Sequence, residues 1–170
     1  MRADFPMSRL EDEAAIRRLQ ARYADICSRR AFEELPEVIA ANAPICLDLR
    51  GRSLEFAGPS ELGLFIEDSI GVFDFFQFVI RNLVIDFDGG EGHVNAVSRL
   101  WMSELRHHRD SGEWSTIFGV YHDRYESRGG DWRICSRRYH SLARIAHALE
   151  DCVVFEFPEG EGALGEESAR

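Results

Sequence analysis

The stretch GVYHDRYESRGGDWRICSRRYHSLAR, Gly119–Arg144, decides the fold. It reads as two long strand-like runs rich in aromatic residues, joined by a turn at Gly129–Gly130. A turn that short joins antiparallel strands, because a parallel pair needs a crossover of a dozen residues or more. The same pattern recurs upstream. From Phe76 to Ile145 four strand-like runs are separated by DFDGGEG, RDSGE and SRGGD, all of turn composition. Consecutive strands joined in this way form an antiparallel meander.

The first third of the chain has a different period. Ser8 stands three residues before Glu11, the spacing of a capping box, and predicts a helix running to about Arg30. Ile16, Leu19, Tyr23, Ile26 and Cys27 form its apolar face, with Asp25 nearly opposite as a solvated carboxylate. A second, short helix is predicted over Phe32 to Ala41, with Pro36 in its first turns. APICLDLRG alternates as a strand, and SLEFAGP is its hairpin partner. PSELGLFIEDSI predicts a third helix with Leu62, Phe65, Ile66 and Ile70 inward. Helices first and a curled sheet after them make the class α+β.

The composition narrows the function. A chain of 170 residues fits one domain with a substantial core. Its net charge of −10, with basic residues that are all arginine and spread along the chain, argues against nucleic acid as a partner. Cys27, Cys46, Cys135 and Cys152 lack the spacing of a metal knuckle or redox pair, so reduced thiols in a cytoplasmic protein are expected. MRADFPMSRLEDE has no apolar signal core, and no apolar run approaches a membrane span. His93, His107 and His108 have no carboxylate cluster at ligand spacing, so no metal is expected. With no Gly-rich phosphate loop, no nucleotide cofactor is expected either. The acidic residues 159–170 are expected to be a disordered tail.

Three segments resemble the SnoaL-like family, of the nuclear-transport-factor-two-like superfamily, to which scytalone dehydratase and bile-acid dehydratase are related. They are Gly119–Arg144 itself, IRRLQARYADICSRRAFEELPEVIAAN, which is similar to the family's first two helices, and FQFVIRNLVIDFDG, similar to its strand that ends near an asparagine. The resemblance implies a cone over residues 1–158: a curved antiparallel sheet wrapped on three N-terminal helices, with a deep central cavity. It also implies a dyad of histidine and aspartate for proton abstraction. The matching positions hold Phe78 and Ser28, neither of which can do that work.

Other residues must then carry any chemistry. Phe78, Ile80 and Asn82 share one face of their strand and are expected to line the cavity. Tyr23 turns inward by helical spacing; it is either a core aromatic with a satisfied hydroxyl or a group that orients a ligand oxygen. Tyr121 shares parity with Gly119 and Asp123, and the resemblance places it against the ligand. Glu104 shares parity with Ala96, Leu100 and Met102, so it either faces the cavity or lies past the sheet edge in solvent. On the last strand, alternation from Trp132 and Ile134 turns Arg138 and His140 inward; the family pattern instead favours Arg137, which needs a bulge. An inward arginine would anchor an enolate or carboxylate, and an inward His140 would transfer protons.

The expected function is a cofactor-free lyase or isomerase, of dehydratase or cyclase type. Its ligand would be an apolar aromatic, polyketide or steroid-like small molecule, with Tyr23, Arg137 and His140 catalytic. Alternatives are a non-catalytic binding protein, and a structural partner of the kind formed by the small subunit of an aromatic-ring dioxygenase, its cavity filled by side chains. Outward-facing Val97 and Trp101 lead to the expectation of a homodimer.

Overall fold

The computed structural model describes residues 7–87 and 95–147. The acidic tail, Cys152, His93 and most of the DFDGGEG turn lie outside the described residues. Helix α1 spans Met7–Arg29, a 3-10 helix Phe32–Glu37 follows, and α2 spans Pro59–Ile70. The strands are β1 Pro44–Asp48, β2 Ser53–Ala57, β3 Phe73–Phe87, β4 Asn95–His108, β5 Trp114–Arg128 and β6 Asp131–His147.

These strands form one six-stranded sheet in the order β2-β1-β6-β5-β4-β3. The expected meander is present: β3 to β6 pair antiparallel in sequence order, and β1–β2 is an antiparallel hairpin. The sheet is nevertheless mixed, because β1 lies parallel to β6. The crossover of α2 and three long strands between them permits that pairing. The second predicted helix is a 3-10 segment ending at Glu37, since Pro36 supplies no N–H for an α-helical ladder.

The core lies between the concave sheet face and the helices. Ile16, Leu19, Tyr23, Ile26 and Cys27 of α1 are all buried, as the helical spacing predicts, while Asp25 is exposed and paired with Arg29 at 2.8 Å. The Trp132 indole N–H donates to Asp12 at 2.9 Å and ties α1 to β6. At the other end of α1, Arg30 takes a left-handed φ of 63°, ending the helix. Its guanidinium donates to the carbonyls of Ile70 and Phe73 at 3.3 and 2.6 Å, fixing α1 to the turn between α2 and β3. Gly58, at φ 90°, opens α2; a Cβ there would stand 2.1 Å from the Ala41 carbonyl oxygen.

Bulges set which side chains reach the cavity. On β3 the pairing jumps between Ile80 and Asn82, so Arg81 is extra. On β6 it jumps opposite Arg124/Tyr125 and Phe118/Gly119, making Cys135 and Leu142 extra. Each extra residue reverses the inward–outward alternation beyond it. On the outer face Val84, Val97 and Trp101 remain 40%, 37% and 40% exposed. No helix among the described residues is long and apolar enough to cross a membrane.

Candidate functional site

A cavity of about 590 Å³ opens between the concave face, α1, α2 and the β1–β2 hairpin. Phe76, Phe78, Leu47, Leu62 and Ile117 supply apolar wall, and Tyr23, Tyr121, Tyr139, Arg137, Glu104 and Arg106 supply the polar groups. The phenylalanines therefore form a wall and leave the hollow open. Phe78 packs edge-on to Tyr23 at 5.5 Å and tilted against Tyr121 at 6.0 Å.

Arg137 sits at the centre of the polar set, and its side chain is fully buried. The bulge at Cys135 turns it inward and sets it directly opposite Asp123. The two form a fork: Nε donates to Oδ1 at 2.9 Å and Nη2 to Oδ2 at 2.8 Å. Nη2 also donates to Gln20 Oε1 at 3.0 Å. Behind this pair, the Gln20 amide donates to Asp123 at 2.7 Å and to the Tyr125 hydroxyl, which Ser98 meets at 2.7 Å. The guanidinium lies 4.0 Å from the ring centre of Tyr23 and 4.5 Å from that of Tyr121. Its Nη1 is buried without a hydrogen-bond partner among the described residues. An unpaired donor on a buried cation is costly, so this nitrogen is prepared for an acceptor.

The tyrosines are donors. Burial lifts Tyr23 well above the ordinary phenol range, Cys27 adds to the shift, and Arg137 opposes it. Tyr121 rises for the same first reason, with Tyr23 adding, and Tyr139 is pushed up to about 12 by burial and then by Glu104. Burial also pushes the Cys27 thiol up to about 12, which removes it as a nucleophile. Burial works against the charge on Arg137, but Asp123, Tyr23 and Tyr121 together outweigh it and keep the group protonated. Glu104 is the single carboxylate among the cavity-lining residues described, and it is paired with Arg106. Arg106 in turn lies over Phe73 at 5.3 Å, and its Nε is buried without a partner among the described residues.

The sequence reading places Tyr23, Phe78 and Tyr121 in the cavity, and the structure agrees; Glu104, which it left between cavity and solvent, also lines the cavity. For Arg137 and Arg138, where the residues left the choice open, the inward one is Arg137. Two expectations are corrected. Asn82 lies just beyond the Arg81 bulge and is exposed on the other side of the strand. His140 is also turned away: the shift at Cys135 puts Tyr139 inward in its place, and His140 faces Asp48 at 3.3 Å and His122 outside. Ser28 accepts a hydrogen bond from the Phe78 backbone N–H at 3.0 Å, so the two residues matched to the dyad touch but offer no base. Among the described residues no cluster of three His, Cys, Asp or Glu side chains is arranged to hold a metal.

Sequence reasoning missed Gln20 and Arg106, gave Asp123 no role beyond its shared parity with Tyr121, and left Tyr139 open against His140. Gln20 was detectable, as a polar residue inside the apolar stripe of α1. Tyr139 has room only because residue 119 is glycine. A Cβ there would stand 2.2 Å from Tyr139 Cε2 and 2.6 Å from its hydroxyl oxygen. Gly119→Ala is expected to push the ring off Tyr121, now 4.8 Å away, at a cost of about 1–3 kcal/mol. Denaturant unfolding measures this, and an unchanged midpoint would mean the ring yields freely.

Comparison with known proteins agrees with the fold. None of the curated proteins compared matches the chain in sequence. Among solved structures it is similar to a candidate scytalone dehydratase of Novosphingobium aromaticivorans, at 16% identity and a TM-score of 0.71, covering 94% of this chain and 100% of that one. It is similar to a type 3 hexachlorocyclohexane dehydrochlorinase of Novosphingobium barchaimii, at 19% identity and 0.71, covering 91% and 100%. A candidate aromatic ring hydroxylase of Novosphingobium aromaticivorans aligns at 18% identity and 0.67, covering 81% and 94%. At these identities the structures share the fold alone. The family model for the SnoaL-like domain matches residues 8–138, most of the chain, and the chain therefore belongs to the SnoaL-like family.

Proposed function

We propose that the protein is a cofactor-free lyase or isomerase acting on an enolisable apolar small molecule. One observation carries the reading: among the described residues, a buried guanidinium with an uncommitted N–H shares a mostly apolar cavity with a single carboxylate. In the proposed step Glu104 takes a proton from carbon next to a carbonyl. The C–H electron pair moves onto the carbonyl oxygen, which the Arg137 Nη1–H and a tyrosine hydroxyl stabilise as an enolate. The enolate then collapses. It either expels a leaving group from the adjacent carbon, a net elimination in which Glu104 passes its proton to a departing hydroxyl or, for a halide, to solvent, or takes the proton back at another carbon, a net isomerisation. The ion pair with Arg106 fixes the position of the Glu104 carboxylate. The similarity to a candidate dehydratase and a dehydrochlorinase, both names for eliminations, supports the same class.

A second reading has its own support, because the salt bridge to Arg106 occupies Glu104. In that reading the cavity binds an apolar ligand and does nothing further to it. The test is turnover of a panel of β-hydroxy and β-halo ketones, with proton–deuterium exchange at the activated carbon as a second readout. Glu104→Gln is expected to keep ligand binding and to lower exchange by at least about 10²-fold. Binding without exchange in the wild-type protein selects the binding reading, and equal exchange by both proteins removes Glu104 from the mechanism.

A further inference from the structure

The cavity has a polarity opposite to that of the protein. The chain carries a net charge of −10, yet among the described residues its cavity lining includes Arg50, Arg106, Arg137 and Arg144 against Glu104 alone. Two of these cations are compensated where they stand, Arg137 by Asp123 and Arg106 by Glu104. The two at the mouth are not held in this way. Arg144 meets Glu113 at 3.4 Å, with both side chains exposed, so water screens the pair heavily.

Arg50 differs in kind. It occupies the tip of the β1–β2 hairpin at φ 60°, with Gly51 at φ 93° after it, and Leu49 N–H donates to the Arg52 carbonyl at 2.9 Å. Two successive left-handed residues define a turn that favours Asn-Gly; arginine there is strained. The strained position sends the guanidinium across to β6. There Nε donates to the Ser141 carbonyl at 2.7 Å and Nη2 to the Leu142 carbonyl at 3.0 Å, at the second β6 bulge. Carbonyls orient the group without neutralising it. The neighbouring carboxylate, Asp48, accepts the Arg50 backbone N–H at 3.1 Å and faces His140 on the outer side. Among the described residues, the mouth thus presents a positioned cation whose guanidinium hydrogen-bonds no carboxylate, the exposed Asp48 acting on it only through its charge.

We infer that the ligand is an amphipathic anion, its apolar body filling the cavity, a neutral oxygen meeting Arg137 Nη1 on the floor, and a carboxylate-like group held at the mouth by Arg50 with Arg144 beside it. The inference rests on the cavity being a ligand site, as proposed above, and adds the charge of the ligand and the residue that reads it. Arg137 is the floor contact and not the anion site, because its own charge is already matched by Asp123.

Two fluorescent probes with one ring system test it: anilinonaphthalene sulfonate, which is anionic, and N-phenyl-naphthylamine, which is neutral. The anion is expected to bind about tenfold more tightly at low ionic strength. The advantage should shrink as salt is added, since the mouth is open to solvent. In Arg50→Gln it should fall to near parity while the neutral probe is unaffected; circular dichroism verifies the fold of that variant. Equal affinity of the two probes for the wild-type protein overturns the inference and leaves the cavity reading standing. An anion preference that survives Arg50→Gln also overturns it. Binding of neither probe overturns both.

Discussion

Above pH 10 the protein is expected to unfold in one steep step, and its four tyrosines are expected to ionise together with that step. All four phenols, Tyr23, Tyr121, Tyr125 and Tyr139, are buried, and burial is the leading cause that raises each above the ordinary phenol value of about 10. The sign follows from linkage. Each folded value lies above the unfolded one, so the unfolded chain gives up its protons first. Stability is complete below pH 10 and is lost as pH rises through the folded values, which begin at about 12 with Tyr139. Each phenol contributes about 1.4 kcal/mol per pH unit in that window. Four together make roughly 5 kcal/mol per unit, enough to exhaust an ordinary stability of about 5–15 kcal/mol within about one to three units. Phenolate absorbance and far-ultraviolet circular dichroism, followed on the same sample, should move as one curve. Two or more phenols titrating near pH 10 with the dichroism unchanged would show that the polar floor is wet.

Asp123→Ala is expected to destabilise the fold by about 3–5 kcal/mol, because it leaves the Arg137 charge buried and uncompensated. Gln20 cannot make up the loss, since its Oε1 already accepts from Nη2 and an amide carries no charge. For a chain of this length that corresponds to a fall in melting temperature of roughly 6–20 °C. The companion variant Asp123→Leu with Arg137→Met removes both charges and fills similar volume. It should recover most of the stability while losing ligand binding, because a buried pair is costly to break and far less costly to replace. Thermal unfolding of the two variants checks this. A loss below about 1 kcal/mol for the single change, or a double variant as unstable as the single, would refute the account.

Much of the fold was legible because its signals are local. Turn residues at 109–113 and 127–131 delimit strands, and Ile16, Leu19, Tyr23 and Cys27 recur at helical spacing. The site was less legible because it depends on parity over long strands, and parity fails at a bulge that no residue type announces. A gapless count back from the Arg128–Asp131 pairing sets His122 opposite Arg137; the extra Cys135 brings Asp123 there instead. The same residue exchanges His140 for Tyr139 in the cavity, and Arg81 removes Asn82 from it. The parallel pairing of β1 with β6 was hidden for a different reason, since it joins segments about ninety residues apart and depends on closure of the whole sheet.

Cys135 is only half-buried, forms no contact with the cavity, and yet decides which row of β6 faces it. Straightening that bulge with the residue count unchanged would trade the Arg137–Tyr139 pair for Arg138–His140 while every core side chain before it stays in place. The hairpin therefore gives this lineage a short mutational route between a donor-lined hollow and one equipped with an imidazole, so reaction type could diverge among close relatives faster than architecture does.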